Sequence, residues 1–573
     1  MTFQLEVNNK EIEAKRGDTI LETLHKNGIK IPTLCRLKDL TPTGACRLCV
    51  VEVEGQENLI PACSYPVEEW MKIKTHSPRV INARKTIVEL LLANHPDDCL
   101  FCIRNLKCEL QHLAEELHIR ERKKSQKPAY LKLDQSSPGI VRDPSKCILC
   151  GRCVRVCDEQ QNVATLDFVN RGGKTHVGIS FNKDLNFSSC ILCGQCIQAC
   201  PTGALHEKTN MDEIQEVLHN PEVKVVVQYA PSVTVSLAEE FGLKAGKDVN
   251  GVMNAVLRRI GFDYIFDSSF AADLAILEES RELHERIEKR ENLPMINACC
   301  PAWVKYAEQF EQELLPNLSS TKSPQQIMGA LIKTYFADQY KIKNANLFSV
   351  AIMPCTAKKF EAQREEMTRK AISDVDLVLS TRELAKLIKL YGIDMNNIDS
   401  EMPDDPFGHR SSAGKILGAA GGLSEAVLRS FHYQETQKEI RNMTMGKLRG
   451  GEGFRKYTAK VGERNINVAV VSGLQYLPNV LEKVKKGDGE FHFIEVMACP
   501  SGCVNGGGQP LETREGGVKA RAKALYEIDS KETIRVAHKN PFVNKLYEEY
   551  LGQPCSEFCR KLLHTGFVPR NVL

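Results

Sequence analysis

Residues 147–157, CILCGRCVRVC, and residues 190–201, CILCGQCIQACP, decide the fold of the middle of this chain. Each stretch spaces four cysteines as C-x2-C-x2-C-x3-C. In the bacterial two-cluster pattern, the fourth cysteine of each run binds the cluster of the other run. One 4Fe–4S cluster is therefore expected on Cys147, Cys150, Cys153 and Cys200. The other is expected on Cys157, Cys190, Cys193 and Cys196. Zinc is the weaker alternative, because tetrahedral zinc sites do not interleave two such runs.

The composition of the whole chain supports a metal-binding role for these thiols. The 573 residues are 42% hydrophobic and 26% charged, which is ordinary for three to five globular domains. The 76 basic and 73 acidic residues nearly cancel, which argues against a nucleic-acid or membrane-surface protein. The sequence shows no apolar run of membrane-spanning length and no secretory signal, so we expect a cytoplasmic protein. In a reducing compartment, 22 cysteines are better explained as metal ligands than as disulfides.

Residues 1–79 predict a β-grasp, 2Fe–2S ferredoxin-like domain. FQLEV alternates as a half-buried strand does, and Thr19-Ile-Leu-Glu22 predicts a capping box that opens a short helix ending at Gly28. The segment EGQE behind the strand CVVEV predicts a hairpin. The predicted ligands, spaced C-x10-C-x2-C-x13-C, are Cys35, Cys46, Cys49 and Cys63. A structural zinc site is the alternative, but a long ligand loop on a small sheet favours 2Fe–2S.

Residues 80–125 predict a small helical domain with one imidazole and three thiolates. The helical segment VINARKTIVELLLANH precedes the set His95, Cys99, Cys102 and Cys108. Alone, this set suits zinc as well as an iron–sulfur cluster. Its position between two iron–sulfur modules favours 4Fe–4S. The basic run 120–127, RERKKSQK, predicts a solvated linker before the two-cluster domain at 138–209, with a docking patch for an acidic electron carrier as the alternative.

Residues 210–573 predict a large two-lobed α/β domain. The runs VKVVVQYA, LFSVAIMPC, INVAVVSG and FHFIEVMAC are typical of strands buried on both faces. Amphipathic stretches such as SRELHERIEKRE and STRELAKLIKLYG alternate with them and predict helices. The fold class predicted for the whole chain is therefore multidomain α+β and α/β.

Three cysteine motifs of the large domain lie at the carboxyl ends of predicted strands, where open α/β sheets bind ligands. They are INACCPAW at 296–303, MPCTAKKFE at 353–361 and EVMACPSGCVNGGGQP at 495–510. Four thiolates from these loops could hold one more 4Fe–4S cluster. Buried, inert cysteines are the alternative, which we regard as weaker beside Pro- and Gly-rich loops.

These three motifs resemble the signatures of FeFe-hydrogenases, TSCCPxW, MPCxxKxxE and ExMxCxxGCxxGGG. The order of the preceding modules is similar to that of the large clostridial members. The resemblance implies an H-cluster, a 4Fe–4S cubane bridged by a cysteine to a two-iron unit that carries CO, CN and an azadithiolate. The implied cubane ligands are Cys300, Cys355, Cys499 and Cys503, with Cys503 as the bridge. Together with one 2Fe–2S and three accessory 4Fe–4S clusters, this accounts for all cysteines except Cys299, Cys555 and Cys559.

The resemblance also implies which residues surround the H-cluster. Cys299 matches the thiol that passes protons to and from the azadithiolate, and Lys358 matches a residue that hydrogen-bonds a cyanide. Other implied lining residues are Ala230, Pro231, Ser232, Gln325, Met353 and Met497. A proton relay is implied through Cys299, Glu279, Ser319, Glu282 and Arg286. Without the resemblance, the Glu278–Glu282 region would be interpreted as a solvated helix face.

Several positions depart from the family pattern. They are Asn297, Ala298, Ala357, Leu417, Ala420 and Ser424. Because these changes alter hydroxyl and aromatic groups near the expected cluster, we hypothesise an intact cluster with a shifted potential, biased towards H2 oxidation. Cys555 and Cys559 cannot complete a site by themselves, and we interpret them as spare or redox-labile thiols.

The expected function is reversible interconversion of H2 with protons and electrons. The electrons would pass through the accessory clusters to ferredoxin or a flavodoxin-like carrier, and maturation proteins would install the two-iron unit in a monomer or weak homo-oligomer. One alternative is a respiratory NADH dehydrogenase subunit, which leaves the three C-terminal motifs unexplained. The other is a non-enzymatic iron–sulfur electron-transfer or scaffold protein with a hydrogenase-like domain.

Overall fold

The computed structural model describes residues 1–121, 132–440, 445–487, 490–511 and 516–571. The chain divides into two compact units, one formed by Met1–Ser188 and Gln195–His206 and the other by Ser189–Gly194 and Glu207–Leu573. Residues 122–127 of the predicted basic linker lie outside the described residues. Within the described residues, the search for a helix long and apolar enough to cross a membrane finds none.

The N-terminal part of the first unit has the predicted β-grasp architecture. Its elements are β1 (Thr2–Val7), β2 (Lys10–Lys15), α1 (Ile20–Lys26), β3 (Val50–Val53), β4 (Ile60–Pro61) and β5 (Lys72–Lys74). They form a five-stranded sheet in the order β2-β1-β5-β3-β4. The predicted capping box is present, since the amide of Glu22 donates to Thr19 Oγ1 at 3.2 Å and the amide of Thr19 donates to Glu22 Oε2 at 3.0 Å. The predicted hairpin joins β3 to β4.

The rest of the first unit contains the predicted helices and the two cysteine runs. Its elements are α2 (Pro78–Ala93), α3 (Glu109–Glu116), β6 (Ile140–Arg142), α4 (Arg152–Arg155), β7 (Asp167–Val169), β8 (His176–Gly178), α5 (Gln195–Ala199) and β9 (Leu205–Glu207). Strand β6 pairs with β9, and β7 pairs with β8. The last two cysteines of each run lie on or beside the short helices α4 and α5.

The second unit is built on two four-stranded sheets. The first contains β10 (Lys224–Tyr229), β11 (Tyr264–Asp267), β13 (Leu347–Met353) and β16 (Leu377–Ser380); the second contains β12 (Met295–Ile296), β17 (Gly453–Val461), β18 (Arg464–Ser472) and β19 (Phe493–Met497). Their orders are β11-β10-β13-β16, all parallel, and β12-β19-β18-β17, in which β17 is antiparallel. A short hairpin joins β14 (Thr368–Arg369) to β15 (Ile372–Ser373). All four apolar runs that the sequence marked are strands, and every residue of β19 is buried.

Helices surround both sheets. They are α6 (Met211–Leu218), α7 (Pro231–Thr234), α8 (Asn250–Ile260), α9 (Ser269–Lys289), α10 (Pro301–Phe310), α11 (Pro324–Leu331), α12 (Ala337–Gln339), α13 (Ala357–Ala362), α14 (Thr381–Leu390), α15 (Ser412–Ile416), α16 (Gly422–Thr436), α17 (Leu477–Lys485), α18 (Gly517–Lys531), α19 (Pro541–Leu546) and α20 (Glu557–Leu563). Helix α9 contributes Leu274 to one apolar core and Ile276 to another. Because α9 packs into two cores, even its carboxylates at 278, 279 and 282 are buried.

Candidate active site and metal centres

The three cysteine motifs of the second unit follow the carboxyl ends of β12, β13 and β19. Strand β13 belongs to one sheet, whereas β12 and β19 belong to the other. Ligand sites at the carboxyl ends of parallel strands are general in α/β folds, because the loops that leave neighbouring strands converge there. Here the loops of two sheets bring thiols from distant parts of the sequence to one cavity.

The cavity contains about 850 Å³ of space between protein atoms, and its wall is mostly apolar. Its wall includes the thiol-bearing residues Cys299, Cys300, Cys355, Cys499 and Cys503. The structure also places on this wall the other residues implied by the sequence: Ala230, Pro231, Ser232, Gln325, Met353, Lys358 and Met497.

Glycines allow the ligand loops to approach one another closely. A Cβ atom on Gly506 would lie 2.3 Å from the carbonyl oxygen of Pro354, which precedes Cys355. A Cβ atom on Gly507 would lie 2.4 Å from the carbonyl oxygen of Cys193. No side chain fits at these separations, so GGG in the third motif lets the loop after Cys503 pack directly on two cysteine-bearing segments.

The electrostatics of the cavity favour thiolates only in the presence of metal. Burial raises the pKa of Cys355 to about 12 and that of Cys503 to about 12. Burial also raises the pKa values of Cys300 and Cys499 above that of an ordinary thiol. Thiols in this environment stay protonated at neutral pH unless a cation binds them, so metal binding here is coupled to proton release. Four convergent thiols in an apolar wall fit a 4Fe–4S cubane.

A cation and two buried polar atoms occupy the same wall. Lys358 Nζ lies 2.7 Å from Glu361 Oε2 and donates to the carbonyl oxygen of Cys299 at 3.3 Å. Ser232 Oγ and Gln325 Oε1 are buried without a hydrogen-bond partner among the described residues. Buried polar atoms of this kind normally have a partner. The Ser232 hydroxyl can donate to a bound anionic group, whereas Gln325 Oε1 can only accept from a donor on a bound group. The residues present therefore fit an iron cluster with anionic ligands.

The implied relay residues form a buried line that starts at Cys299. Ser319 Oγ donates to Glu282 Oε2 at 3.0 Å, and Arg286 Nη2 donates to Glu282 Oε1 at 2.6 Å. Glu279 interacts electrostatically with both Ser319 and the Cys299 thiol. The structure thus brings all five residues together, from the cavity wall to the partly exposed Arg286.

Burial changes the protonation of the central relay residue. Burial, followed by the charge of Glu282, raises the pKa of Glu279 well above its usual range. A carboxylic acid that is neutral at pH 7 can both donate and accept a proton. The alternative of a solvated helix face is wrong, since Glu278, Glu279 and Glu282 are 0%, 2% and 5% exposed.

Comparisons with known proteins agree with this site. The family model for the iron-only hydrogenase large subunit, C-terminal domain, matches residues 223–507, and the iron hydrogenase small subunit model matches residues 516–570. The NADP-reducing hydrogenase subunit HndD of Solidesulfovibrio fructosivorans is 42% identical over 99% of both chains. Iron hydrogenase 1 of Clostridium pasteurianum is 39% identical over 97% of this chain and 98% of its own. This chain is an FeFe-hydrogenase.

A solved structure supports the fold of the hydrogenase domain. Apo HydA1 of Chlamydomonas reinhardtii, a [FeFe]-hydrogenase variant, is 32% identical and superposes with a TM-score of 0.56. The match covers 62% of this chain and 98% of HydA1. The remaining N-terminal part matches models for a 2Fe–2S domain at residues 1–78, an NADH-ubiquinone oxidoreductase-G iron–sulfur region at 84–123 and a 4Fe–4S dicluster domain at 146–204. Iron–sulfur clusters of both types and an H-cluster are therefore the cofactors of this hydrogenase.

The accessory ligands of the hydrogenase are grouped largely as the spacing predicts. The Cys35 thiol interacts with Cys46 and Cys63, and Cys63 also interacts with Cys49, so the four shift one another's pKa values. A cavity with about 430 Å³ of space between its atoms is lined by Cys147, Cys150, Cys153 and Cys200. This is the interleaved set expected for one 4Fe–4S cluster.

The two other accessory ligand sets stay predictions. Among the three thiols of the His/Cys set, Cys102 acts electrostatically on Cys99 and Cys108, and His95 is buried just beyond α2. Of the last set, Cys157 and Cys196 lie in the first unit, whereas Cys190 and Cys193 lie in the second.

One departure from the family pattern supplies a contact that sequence analysis missed. Asn297 Nδ2 donates to Cys299 Sγ at 3.1 Å, and Asn297 Oδ1 accepts from the amide of Val496 at 2.7 Å. The side chain therefore ties the relay thiol to the strand β19. The sequence placed Asn297 two residues before Cys299, which was the one sign that it could reach the thiol. The contact of Asn297 with Val496 depends on how β12 and β19 pair.

The other departures lie in or beside the cavity wall. Ala298, Ala357 and Ala420 are buried and apolar, and Leu417 lines the cavity. The amide of Ser424 donates to Glu495 Oε2 at 2.7 Å. Sequence analysis also missed Ser323, which donates to Glu361 Oε2 at 2.9 Å and so holds the partner of Lys358.

We predict that Lys358→Met prevents the hydrogenase from retaining a two-iron unit, because the substitution leaves no ammonium for its anionic ligands. The measurement is infrared spectroscopy of metal-bound CO and CN after maturation, with iron content as the control for the cubane. Lys358→Arg keeps the positive charge and should retain part of the signal. Full CO and CN bands in Lys358→Met would contradict the role of this ammonium.

Proposed function

We propose that this hydrogenase interconverts H2 with protons and electrons reversibly and that Cys300, Cys355, Cys499 and Cys503 hold its H-cluster. The observation that carries the proposal is a single apolar cavity that collects these four thiols, Lys358 and Cys299. When bound, the cluster supplies an iron centre and a pendant base for heterolytic cleavage of H2.

The residues of the wall hold and shield this chemistry. The four thiols would hold the cubane, with Cys503 as the ligand next to the two-iron unit. Lys358, oriented by Glu361, supports the charge of a diatomic anion. The apolar lining, including Met353 and Met497, excludes water and so strengthens each electrostatic contact in the cavity.

Protons move through the buried line of side chains. The Cys299 sulfur takes or gives the proton at the cavity, and Asn297 orients that sulfur through its 3.1 Å contact. Glu279, whose pKa is raised by burial, exchanges the proton with Ser319 Oγ. Glu282 receives it at 3.0 Å from Ser319 and passes it towards the surface beside Arg286.

Electrons leave or enter through the four accessory clusters to ferredoxin or a flavodoxin-like carrier. The close approach of Gly507 to Cys193 supports the last step, because it packs a predicted ligand of an accessory cluster against the loop of the H-cluster ligand Cys503. Maturation proteins install the two-iron unit. The hypothesis of a bias towards H2 oxidation rests on Ala298 and Ala357, which are buried next to Cys299 and near Cys355 in the sequence and whose apolar side chains cannot donate a hydrogen bond.

A non-enzymatic assembly role is the second candidate. A cytosolic Fe-S cluster assembly factor of Danio rerio is 32% identical over 62% of this chain and 90% of its own. That similarity leaves part of this chain unmatched, whereas the two hydrogenases named above match nearly all of it. The presence of Lys358, Glu361 and Cys299 together favours a complete two-iron pocket over a scaffold.

Infrared spectra of the anaerobically matured protein test the function directly. We expect CO and CN bands that shift under H2, because turnover changes the electron density at the iron. Assays of H2 uptake with oxidised ferredoxin and of H2 evolution with reduced ferredoxin test whether ferredoxin is the carrier. A protein with full iron loading and no such bands, despite competent maturation, would be a scaffold or an electron-transfer protein.

Glu279→Gln should slow H2 turnover by about 10²-fold or more, the scale of a lost proton-transfer group. The amide keeps the volume of the side chain but cannot exchange a proton, so iron content and infrared bands should stay as in the parent. The matched control is Glu285→Gln on the same helix, where the carboxylate pairs with Arg281 and Arg560 near the surface. Equal turnover in the two variants would remove Glu279 from the relay.

Ala298→Ser and Ala357→Ser, made singly, test the proposed bias. A hydroxyl that bonds to a cluster sulfur changes the free energy of the reduced state by about 1 kcal/mol, which corresponds to about a fivefold change in the ratio of H2 oxidation to H2 evolution. The ratio is measured by film voltammetry at one pH. An unchanged ratio in both variants would end the hypothesis that these positions set the direction.

A further inference from the structure

The thiols of Cys555 and Cys559 have no place in the five predicted iron clusters. Together with His564 they form the sequence pattern C-x3-C-x4-H. Cysteines and histidines at such short spacings are typical of zinc sites. The sequence alone showed no partner that could complete a site. The structure supplies one from a distant part of the chain.

Glu278, on the buried helix α9, meets both ends of α20. Cys555 lies just before α20 and His564 just after it. Glu278 Oε2 and His564 Nε2 are 2.9 Å apart, and one ligand atom each from Glu278, Cys555 and His564 lie within 4.8 Å of one another. All three residues are buried, at 0%, 8% and 8% exposure. Oxygen, nitrogen and sulfur ligands thus converge on one point.

The atoms that face away from this point have hydrogen-bond partners of the kind that orient metal ligands. His564 Nδ1 lies 2.8 Å from Ser320 Oγ. The hydroxyl of Tyr547 donates to Glu278 Oε1 at 2.6 Å, and the backbone amide of Cys555 donates to Oε2 at 2.6 Å, so the carboxylate is held with Oε2 towards His564. The Cys555 sulfur lies 3.5 Å from the carbonyl oxygen of Glu278. Metal-binding histidines and carboxylates are commonly held through their second nitrogen or oxygen in this way.

We propose that Glu278, Cys555 and His564 bind one zinc ion, with water in the fourth position. Zinc accepts this mixture of ligands, and a carboxylate and a thiolate balance its charge. Binding displaces the thiol proton of Cys555 to solvent and shifts the imidazole proton of His564 from Nε2 to Nδ1, where it is donated to Ser320. Cys559 is outside the set, because the ligand atoms that lie within 4.8 Å of one another belong to Glu278, Cys555 and His564. The Cys559 sulfur contacts the carbonyl oxygens of Leu551 and Gln553 at 3.4 Å.

The zinc site joins two regions that match separate family models. Cys555 and His564 lie in residues 516–570, which resemble the small subunit, and Glu278 lies in the large-subunit region. Ser320, the partner of His564, donates its amide to both oxygens of Glu282 at 3.1 Å. The ion would therefore fasten the C-terminal region to the helix that carries the relay carboxylates.

The same chain offers a matched control without a thiol. His538 contacts Ser430 Oγ at 3.2 Å through Nδ1 and Glu439 Oε1 at 3.1 Å through Nε2. This is the Ser–His–Glu arrangement of His564, and in the part of the chain that the structure describes it has no third ligating side chain beside it. It represents a purely hydrogen-bonded histidine.

The experiment uses the matured holoenzyme, equilibrated anaerobically with equimolar Zn²⁺ and passed through a desalting column. Elemental analysis should find about one zinc per chain, and X-ray absorption at the zinc edge should show one sulfur at about 2.3 Å with lighter ligands at about 2.0 Å. Cys555→Ser and His564→Gln should each lower the zinc content about fivefold or more, with iron content unchanged. His538→Gln should bind zinc as the parent does.

Three outcomes would overturn the proposal. They are a parent protein without zinc, full zinc retention in Cys555→Ser, and a four-sulfur zinc spectrum, which would place the ion in an unfilled cluster site. The spectrum of the parent decides the question even if a variant fails to fold. Because zinc content is measured independently of H2 turnover, failure here and failure of the proposed function are distinguishable.

Discussion

Desolvation of the cubane thiols is the constraint on which the rest of the catalytic unit depends. Four cysteines from three loops face an apolar cavity in which a thiolate is unstable without a cation. The raised pKa values of Cys355 and Cys503 express that instability. In the proposed function, iron binding to these thiols would stabilise this arrangement of strand ends, and the fold would present the iron with ligands that water cannot easily reach.

Close backbone packing makes this convergence geometrically possible. The Cys503 loop approaches Pro354 and Cys193 so closely that only glycine fits at 506 and 507. The same packing sets the H-cluster ligands beside a segment that carries predicted ligands of an accessory cluster. Glycine at 506 and 507 thus allows the thiols of the site to converge. It also allows the predicted accessory-cluster segment to pack close to them.

Helix α9 places carboxylates in the interior of the protein. Burial between two cores raises the pKa of Glu279, whereas Glu282 is held by Arg286 and Ser319. Neighbouring carboxylates on one helix therefore have different surroundings and different hydrogen-bond partners. Glu278, one residue before Glu279, faces another way and meets His564 and Tyr547. Successive side chains of this helix have different hydrogen-bond partners, because each helical residue points about 100° away from the one before it.

The sequence by itself determined the modules and their order, and its cysteine spacing predicted the metal ligands. Cysteine spacing is local, so the runs at 147–157 and 190–200 define their cluster type without knowledge of the fold, and the Thr19 capping box and the apolar strands follow from equally local patterns. Only the tertiary structure decided which polar side chains are buried and what they meet. The burial of Glu279, the contact of Asn297 with Cys299, and the meeting of Glu278 with Cys555 and His564 all join segments far apart in sequence or depend on how strands pair. Hydrophobic periodicity does not predict such contacts. They result from the packing of whole helices and sheets rather than from the pattern of any one segment.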